Sequence, residues 1–169
     1  LGPEMRSTGE VLGMAESFGL AFYKAEDAAK STLPTKGTVL ITVNDADKKA
    51  VVDVAKKFAK LGFKIVSTSG TCKYLQENGV KAVSIFKMQE GRPNLVDAIT
   101  NGEIQLLINT PAGKSSQTDD SYLRKAAIKY KIPYITTIAA AVAASKGVEA
   151  IQKGKGAIKS LQEYHAEIK

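Results

Sequence analysis

Apolar and polar positions follow two rhythms along this chain. Short continuous apolar runs, rich in β-branched residues, occur at Val39–Val43, Phe63–Ser67, Lys81–Ile85, Ile104–Ile108 and Tyr134–Thr136. Continuity rather than alternation predicts strands covered on both faces. Between them lie longer stretches with apolar residues at helical spacing. Asp45–Leu61 carries Val51, Val52, Val54, Ala55, Phe58 and Ala59 on one face, and Asp119–Lys131 carries Leu123, Ala126, Ala127 and Tyr130. Thr71–Asn78, Asn94–Thr100 and the Ala-rich Ile138–Ile151 complete the helices, with Gly62, Gly79 and Gly102 at their ends. Five consecutive βα units predict an α/β fold with a parallel sheet and helices on both faces.

Outside that core the pattern changes. Residues 1–37 mix Gly, Ser, Thr and Pro with one amphipathic stretch, Phe18–Ala29, and end in the turn-rich Ser31–Gly37. They are expected to be the end of a preceding domain plus a linker, followed by a domain over 38–151 and a helical tail over 152–169. The chain opens on Leu1 without a basic-then-apolar leader, as expected of a piece of a longer protein.

Composition narrows the chemistry. The 169 residues include one cysteine, Cys72, which excludes an internal disulfide framework and a cysteine-based structural zinc site. The single histidine, His165, lies in the tail and leaves none for catalysis in the domain body. No apolar run approaches the roughly 20 residues of a membrane-spanning helix. The net charge is +7, and residues 38–150 carry most of the excess on dispersed lysines. That favours anionic ligands in general, while no nucleic-acid-binding motif accompanies it.

In a parallel α/β sheet, ligands bind beyond the C-terminal strand ends, where the strand order reverses. The segments there are Asn44–Lys48, Thr68–Thr71, Phe86–Pro93 and Asn109–Lys114. Thr68-Ser69-Gly70-Thr71 offers three hydroxyls and a glycine before a helix N-terminus, which suits a phosphate. The same residues are also ordinary helix caps. Lys48 and Lys87 lie on neighbouring strand ends as candidate point charges. Asn109 and Thr110 either hydrogen-bond a ribose or base edge or simply shape a turn. Asp45 and Asp47 resemble a receiver's acidic pair but read more simply as caps, because Phe86 and Lys87 stand where a receiver needs its acceptor Asp. Asp119 reads as a cap facing the same crevice. Cys72 sits in a first helical turn, a position that lowers a thiol pKa, yet without a partner His it reads as structural. Ile158, Leu161, Tyr164 and Ile168 form a docking stripe. The GxGxxG and Walker patterns are absent.

Several phrases resemble one family. Leu1–Val11 (LGPEMRSTGEV) is similar to the closing segment of the second ATP-grasp half of carbamoyl phosphate synthetase large chains. Ser67–Thr71, Glu90–Pro93, Ile108–Thr110 and Leu161–Lys169 resemble the C-terminal allosteric domain of those chains. The resemblance implies a methylglyoxal-synthase-like, three-layer α/β/α fold with a five-stranded parallel sheet in the order 3-2-1-4-5. It implies a regulatory domain that binds nucleoside monophosphates such as UMP and IMP, in a cytoplasmic enzyme serving pyrimidine and arginine synthesis. Lys48, Thr68, Thr71 and Lys87 would hold the phosphate, and Asn109, Thr42 and Asp119 the nucleoside. Tyr134 and Thr136 would lie toward an ornithine site. The domain itself would need no cofactor, the parent enzyme using ATP with Mg or Mn. Implied partners are the rest of the large subunit, a glutaminase small subunit and further copies of the chain, with no nucleic acid or membrane. Pro111 and Thr42 replace other hydroxyl-bearing residues of some members, which bears on the choice of effector. The alternative is a phosphate-sugar lyase of the methylglyoxal synthase type, which needs a carboxylate base and a histidine. Arg92 stands near where such enzymes carry the Asp. A purine-synthesis cyclohydrolase domain shares the fold but not the two terminal phrases.

Overall fold

The computed structural model describes residues 7, 10–111, 117–154 and 159–168, with the side chains of 117–119 outside the description. In chain order the elements are α1 (Phe18–Ala28), β1 (Thr38–Thr42), a 3-10 turn (Asp45–Asp47), α2 (Lys48–Lys60), β2 (Lys64–Thr68) and α3 (Ser69–Glu77). There follow β3 (Ala82–Ile85), α4 (Leu95–Thr100), β4 (Leu106–Asn109), α5 (Gln117–Lys129), β5 (Tyr134–Ile135), α6 (Ile138–Gln152) and α7 (Leu161–Ala166). Neighbouring strands pair in parallel in the order β3-β2-β1-β4-β5. The chain moves outward from β1 to β3, then returns to β4 on the other side of β1. The reversal therefore opens between β1 and β4.

Strand alternation divides the interior. Val39 and Ile41 of β1, Ile65 of β2, and Leu106 and Ile108 of β4 pack with Val51, Val54 and Phe58 of α2, Leu75 of α3, and Ala141, Ala144 and Val148 of α6. Leu40, Val66 and Leu107 face the opposite way, against Leu95, Ala98 and Ile99 of α4 and Leu123 and Ala127 of α5. Each fully buried Leu or Ile stabilises the fold by about 1.5–3 kcal/mol relative to exposure. Both faces demand apolar residues, so the strands lack alternation in sequence.

Local chemistry sets the ends. Asn94 accepts from the Val96 and Asp97 amides while Asp97 accepts from the Asn94 amide, a capping box that starts α4. Leu123, Ala126 and Ala127 are buried as expected, but Tyr130 is exposed. It lies beyond the last residue of α5, where Lys131 turns to a positive φ of 54° and leaves the helical stripe.

The first helix is seated on α6, at a crossing where Gly19 meets Gly147. A Cβ on Gly147 would run into the Gly19 carbonyl oxygen, and one on Gly19 would stand 2.6 Å from Lys146 Cβ. Glu149 of α6 bridges Lys57 of α2 at 2.9 Å and Lys153 at 2.6 Å. Those two lysines pull its carboxyl down to about 2. The tail helix α7 covers the same corner: Tyr164 donates its hydroxyl to the Met14 carbonyl at 2.9 Å and accepts from Lys24 Nζ at 3.2 Å. Of the expected docking stripe, Tyr164 is docked, Leu161 and Ile168 are exposed and Ile158 lies outside the described residues.

Candidate functional site at the switch point

A cavity of about 280 Å³ lies at the C-terminal ends of β1, β2 and β4. Its floor is built by last strand residues. Thr42, Thr68 and Asn109 end β1, β2 and β4, and all three share the sheet face of Leu40, Val66 and Leu107. The hydroxyls of Thr42 and Thr68 approach to 3.3 Å, with either able to donate. The Thr68, Thr71 and Asn109 residues are buried yet line the cavity, so their polar groups need a partner there or in the protein.

One wall is cationic. Thr68 is the N-cap of α3 but makes no side-chain cap bond. The first-turn amides of a helix have no intrahelical acceptors and carry partial positive charge. Lys48 Nζ overhangs this end, only 3.6 Å from where a Cβ of Gly70 would stand. It pairs with Asp45 at 2.7 Å, and that hydrogen bond and charge hold the Asp45 carboxyl below its usual range. Lys87, on the loop after β3, adds a second ammonium to the lining. Its backbone amide donates to Glu90 at 2.9 Å.

The opposite wall accepts hydrogen bonds. The Asn109 side-chain amide donates to Asp120 Oδ1 at 3.0 Å and to the Tyr134 hydroxyl at 2.8 Å. Both amide hydrogens are thus engaged, and the remaining group, Oδ1, is an acceptor. The cavity is polarised: an anion fits beside α3, Lys48 and Lys87, and a hydroxyl-bearing group fits beside Asn109.

Thr42, Lys48, Thr68, Thr71, Lys87 and Asn109, singled out in the sequence, all line this cavity. The side chain of Asp119 lies outside the described residues; its neighbour Asp120 is the carboxylate on the wall. Tyr134 reaches Asn109, whereas Thr136 is exposed just beyond β5. Ser69 and Gly70, expected in a loop, already belong to α3. Cys72 faces the core, and burial pushes its thiol up rather than down. Neither Asp45 nor Asp47 caps α2 by its side chain; Asn44 accepts from the Asp47 amide at 3.0 Å instead. Asn44 also donates to Thr110 Oγ1 and to the Pro111 carbonyl, both at 3.2 Å. The Asn-Asp-Ala-Asp order was the available sign of this role. His165 lies on α7 and is not among the residues lining the cavity. Among the described residues no cluster of three or more His, Cys, Asp or Glu is placed to hold a metal ion. Nor is any helix long and apolar enough to cross a membrane.

Comparison with known proteins places this geometry. Residues 50–136 match the family model of the MGS-like domain. The chain is 51% identical over 168 residues to the carbamoyl phosphate synthase large chain of Archaeoglobus fulgidus, covering 99% of this chain and 16% of that protein. It is 50% identical over 170 residues to the C-terminal section of the carbamoyl phosphate synthase large chain of Aquifex aeolicus, covering 98% of this chain and 32% of that one. The chain therefore spans a third or less of these two relatives. A methylglyoxal synthase from Elizabethkingia anophelis superposes with a TM-score of 0.53 at 20% identity, covering 65% of this chain and 77% of that one. That likeness concerns the fold alone. With a family model across the sheet and half-identical relatives along nearly its whole length, the chain belongs to the MGS-like domain family, in the form found at the C-terminal section of carbamoyl phosphate synthase large chains.

Proposed function

We propose that the chain is the regulatory, non-catalytic domain of a glutamine-dependent carbamoyl phosphate synthase large subunit, and that the switch-point cavity takes a nucleoside monophosphate. The observation carrying this reading is the convergence of Lys48, Lys87, Thr68, Thr71 and the α3 N-terminus on one wall, opposite Asn109. The relatives supply the context of a large synthase subunit. The phosphate takes the cationic wall, where charge-assisted hydrogen bonds are stronger than neutral ones. The ribose hydroxyls face Asn109, whose side-chain oxygen is an acceptor suited to a hydroxyl donor.

In this reading the domain performs no chemistry of its own. Asp45 is paired with Lys48, Asp120 is engaged by Asn109, and the cavity lining includes no histidine to relay a proton. UMP and IMP are the leading effectors, and the domain adjusts carbamoyl phosphate synthesis for pyrimidines and arginine in the cytoplasm. An ornithine site would lie on the side of Tyr134 and Thr136. The catalytic partners, with ATP and Mg or Mn, lie in the rest of the large subunit, joined by a glutaminase small subunit.

Calorimetric titration of the chain with UMP and IMP tests the proposal. Saturable binding that weakens about 10- to 100-fold in Lys87→Ala is expected; no heat at millimolar nucleotide would sink it. Incubation with dihydroxyacetone phosphate should yield no methylglyoxal, and turnover would instead establish the lyase.

A further inference from the structure

Resting on the anion-binding reading of the switch-point cavity, we infer that Asp45 is a built-in competitor for that site: its carboxylate holds the Lys48 ammonium, and a ligand anion binds there by displacing it. The contact is direct, with Asp45 Oδ1 2.7 Å from Lys48 Nζ. The Asp45 side chain is 93% exposed while that of Lys48 is 24% exposed. A carboxylate so exposed needs no partner to offset burial, and leaving Lys48 costs it little. Lys48 is the group that overhangs the α3 N-terminus, so the carboxylate rests at the mouth of the anion position.

The competitor is delivered rather than adrift. Asp45 begins a 3-10 turn whose cap, Asn44, bonds the Asp47 amide, Thr110 and Pro111. The turn is thereby moored to the segment after β4, and the carboxylate stays within reach of Lys48. Charge bookkeeping agrees. Among the described side chains lining the cavity, Asp45 and Asp120 balance Lys48 and Lys87. These four charges sum to zero, and exchanging Asp45 for a ligand turns Lys48 toward the anion beside Lys87.

The test is calorimetric titration of the chain with inorganic phosphate at low salt and pH 8, for the wild type, Asp45→Asn, Lys48→Ala and the double variant. Asp53→Asn, exposed on α2 and outside the cavity lining, matches the change in charge. Asp45→Asn should bind phosphate about two- to fivefold tighter, the range of an exposed ion pair. The gain should vanish when Lys48 is alanine, and Asp53→Asn should match the wild type. An Asp45→Asn affinity equal to or weaker than wild type overturns the inference, as does an equal gain in Asp53→Asn. If phosphate binds but Asp45 has no effect, only the competitor falls. If no variant binds phosphate, the anion reading of the cavity falls with it.

Discussion

Two regions of the molecule bring a pair of lysines to hydroxyl groups, and they use them in opposite ways. At the α1–α7 corner, Lys24 and Lys159 stand 5.9 and 5.6 Å from the centre of the Tyr164 ring. Lys24 donates to the Tyr164 hydroxyl, and Lys159 bonds Glu167 at 2.6 Å with Glu16 at 4.0 Å. Burial first, and then the charge of Asp27, push the nearby Tyr23 hydroxyl up. The polar groups are spent within the chain, and they fasten a tail to a helix. At the switch point, Lys87 is exposed, α3 keeps its first-turn amides uncapped by Thr68, and Asn109 turns an acceptor outward. The residue types are alike; what differs is how much of their capacity the protein meets itself, since at the switch point Lys48 is held by an exposed carboxylate, Asp45. A cluster with unmet hydrogen-bonding capacity facing a cavity is a site, and a cluster that closes on itself is a joint.

That contrast can be broken experimentally. The largest expected effect is on stability at the joint. Gly147→Val forces a side chain into the Gly19 carbonyl, and overpacking of this kind costs about 3 kcal/mol; chemical denaturation should show it, with nucleotide affinity in the surviving folded fraction unchanged. Next comes Lys87→Ala at the site, where losing a charged hydrogen bond weakens nucleotide binding about 10- to 100-fold. Its melting temperature should stay at the wild-type value, and a drop of several degrees would mean that Lys87 is structural after all. Tyr164→Phe removes two hydrogen bonds from the corner and should cost roughly 1–2 kcal/mol in denaturant unfolding. It should leave nucleotide affinity alone. The smallest effect is pH-dependent. Glu149 titrates at about 2 in the folded chain, against 4.5 ordinarily. A depressed carboxyl contributes stability above its unfolded pKa and loses it as pH falls through the folded one. Wild type should therefore exceed Glu149→Gln slightly near neutrality, and the gap should close between pH 4.5 and about 2. Because the carboxylate is exposed, salt should shrink the gap as well.

Much of the architecture was legible because the sheet is covered twice. Leu106, Leu107 and Ile108 are all buried, on alternating faces, and a run of that kind has few other readings. The strand ends were legible too, since chain order alone places Thr42, Lys48, Thr68, Lys87 and Asn109 at one edge once the sheet is parallel. The illegible parts are those fixed across the chain. The bond from Asn109 to Tyr134 depends on β4 lying beside β5. The choice of Asp120 for the wall depends on where α5 begins its turn. Tyr130 kept the apolar spacing but fell beyond the helix end, where spacing no longer fixes a face. Cys72 had the sequence position of a reactive thiol and the surroundings of a core residue, and burial decided its chemistry.

The mooring of Asn44 has a mechanical consequence. One side chain joins the turn that carries Lys48 to Thr110 and Pro111, which follow β4 on the far bank of the crevice. The two banks must shift as one body or give up those bonds. A ligand that draws in Lys48 thus pulls on Thr110 and Pro111 after β4, so the crevice is a linkage as well as a container.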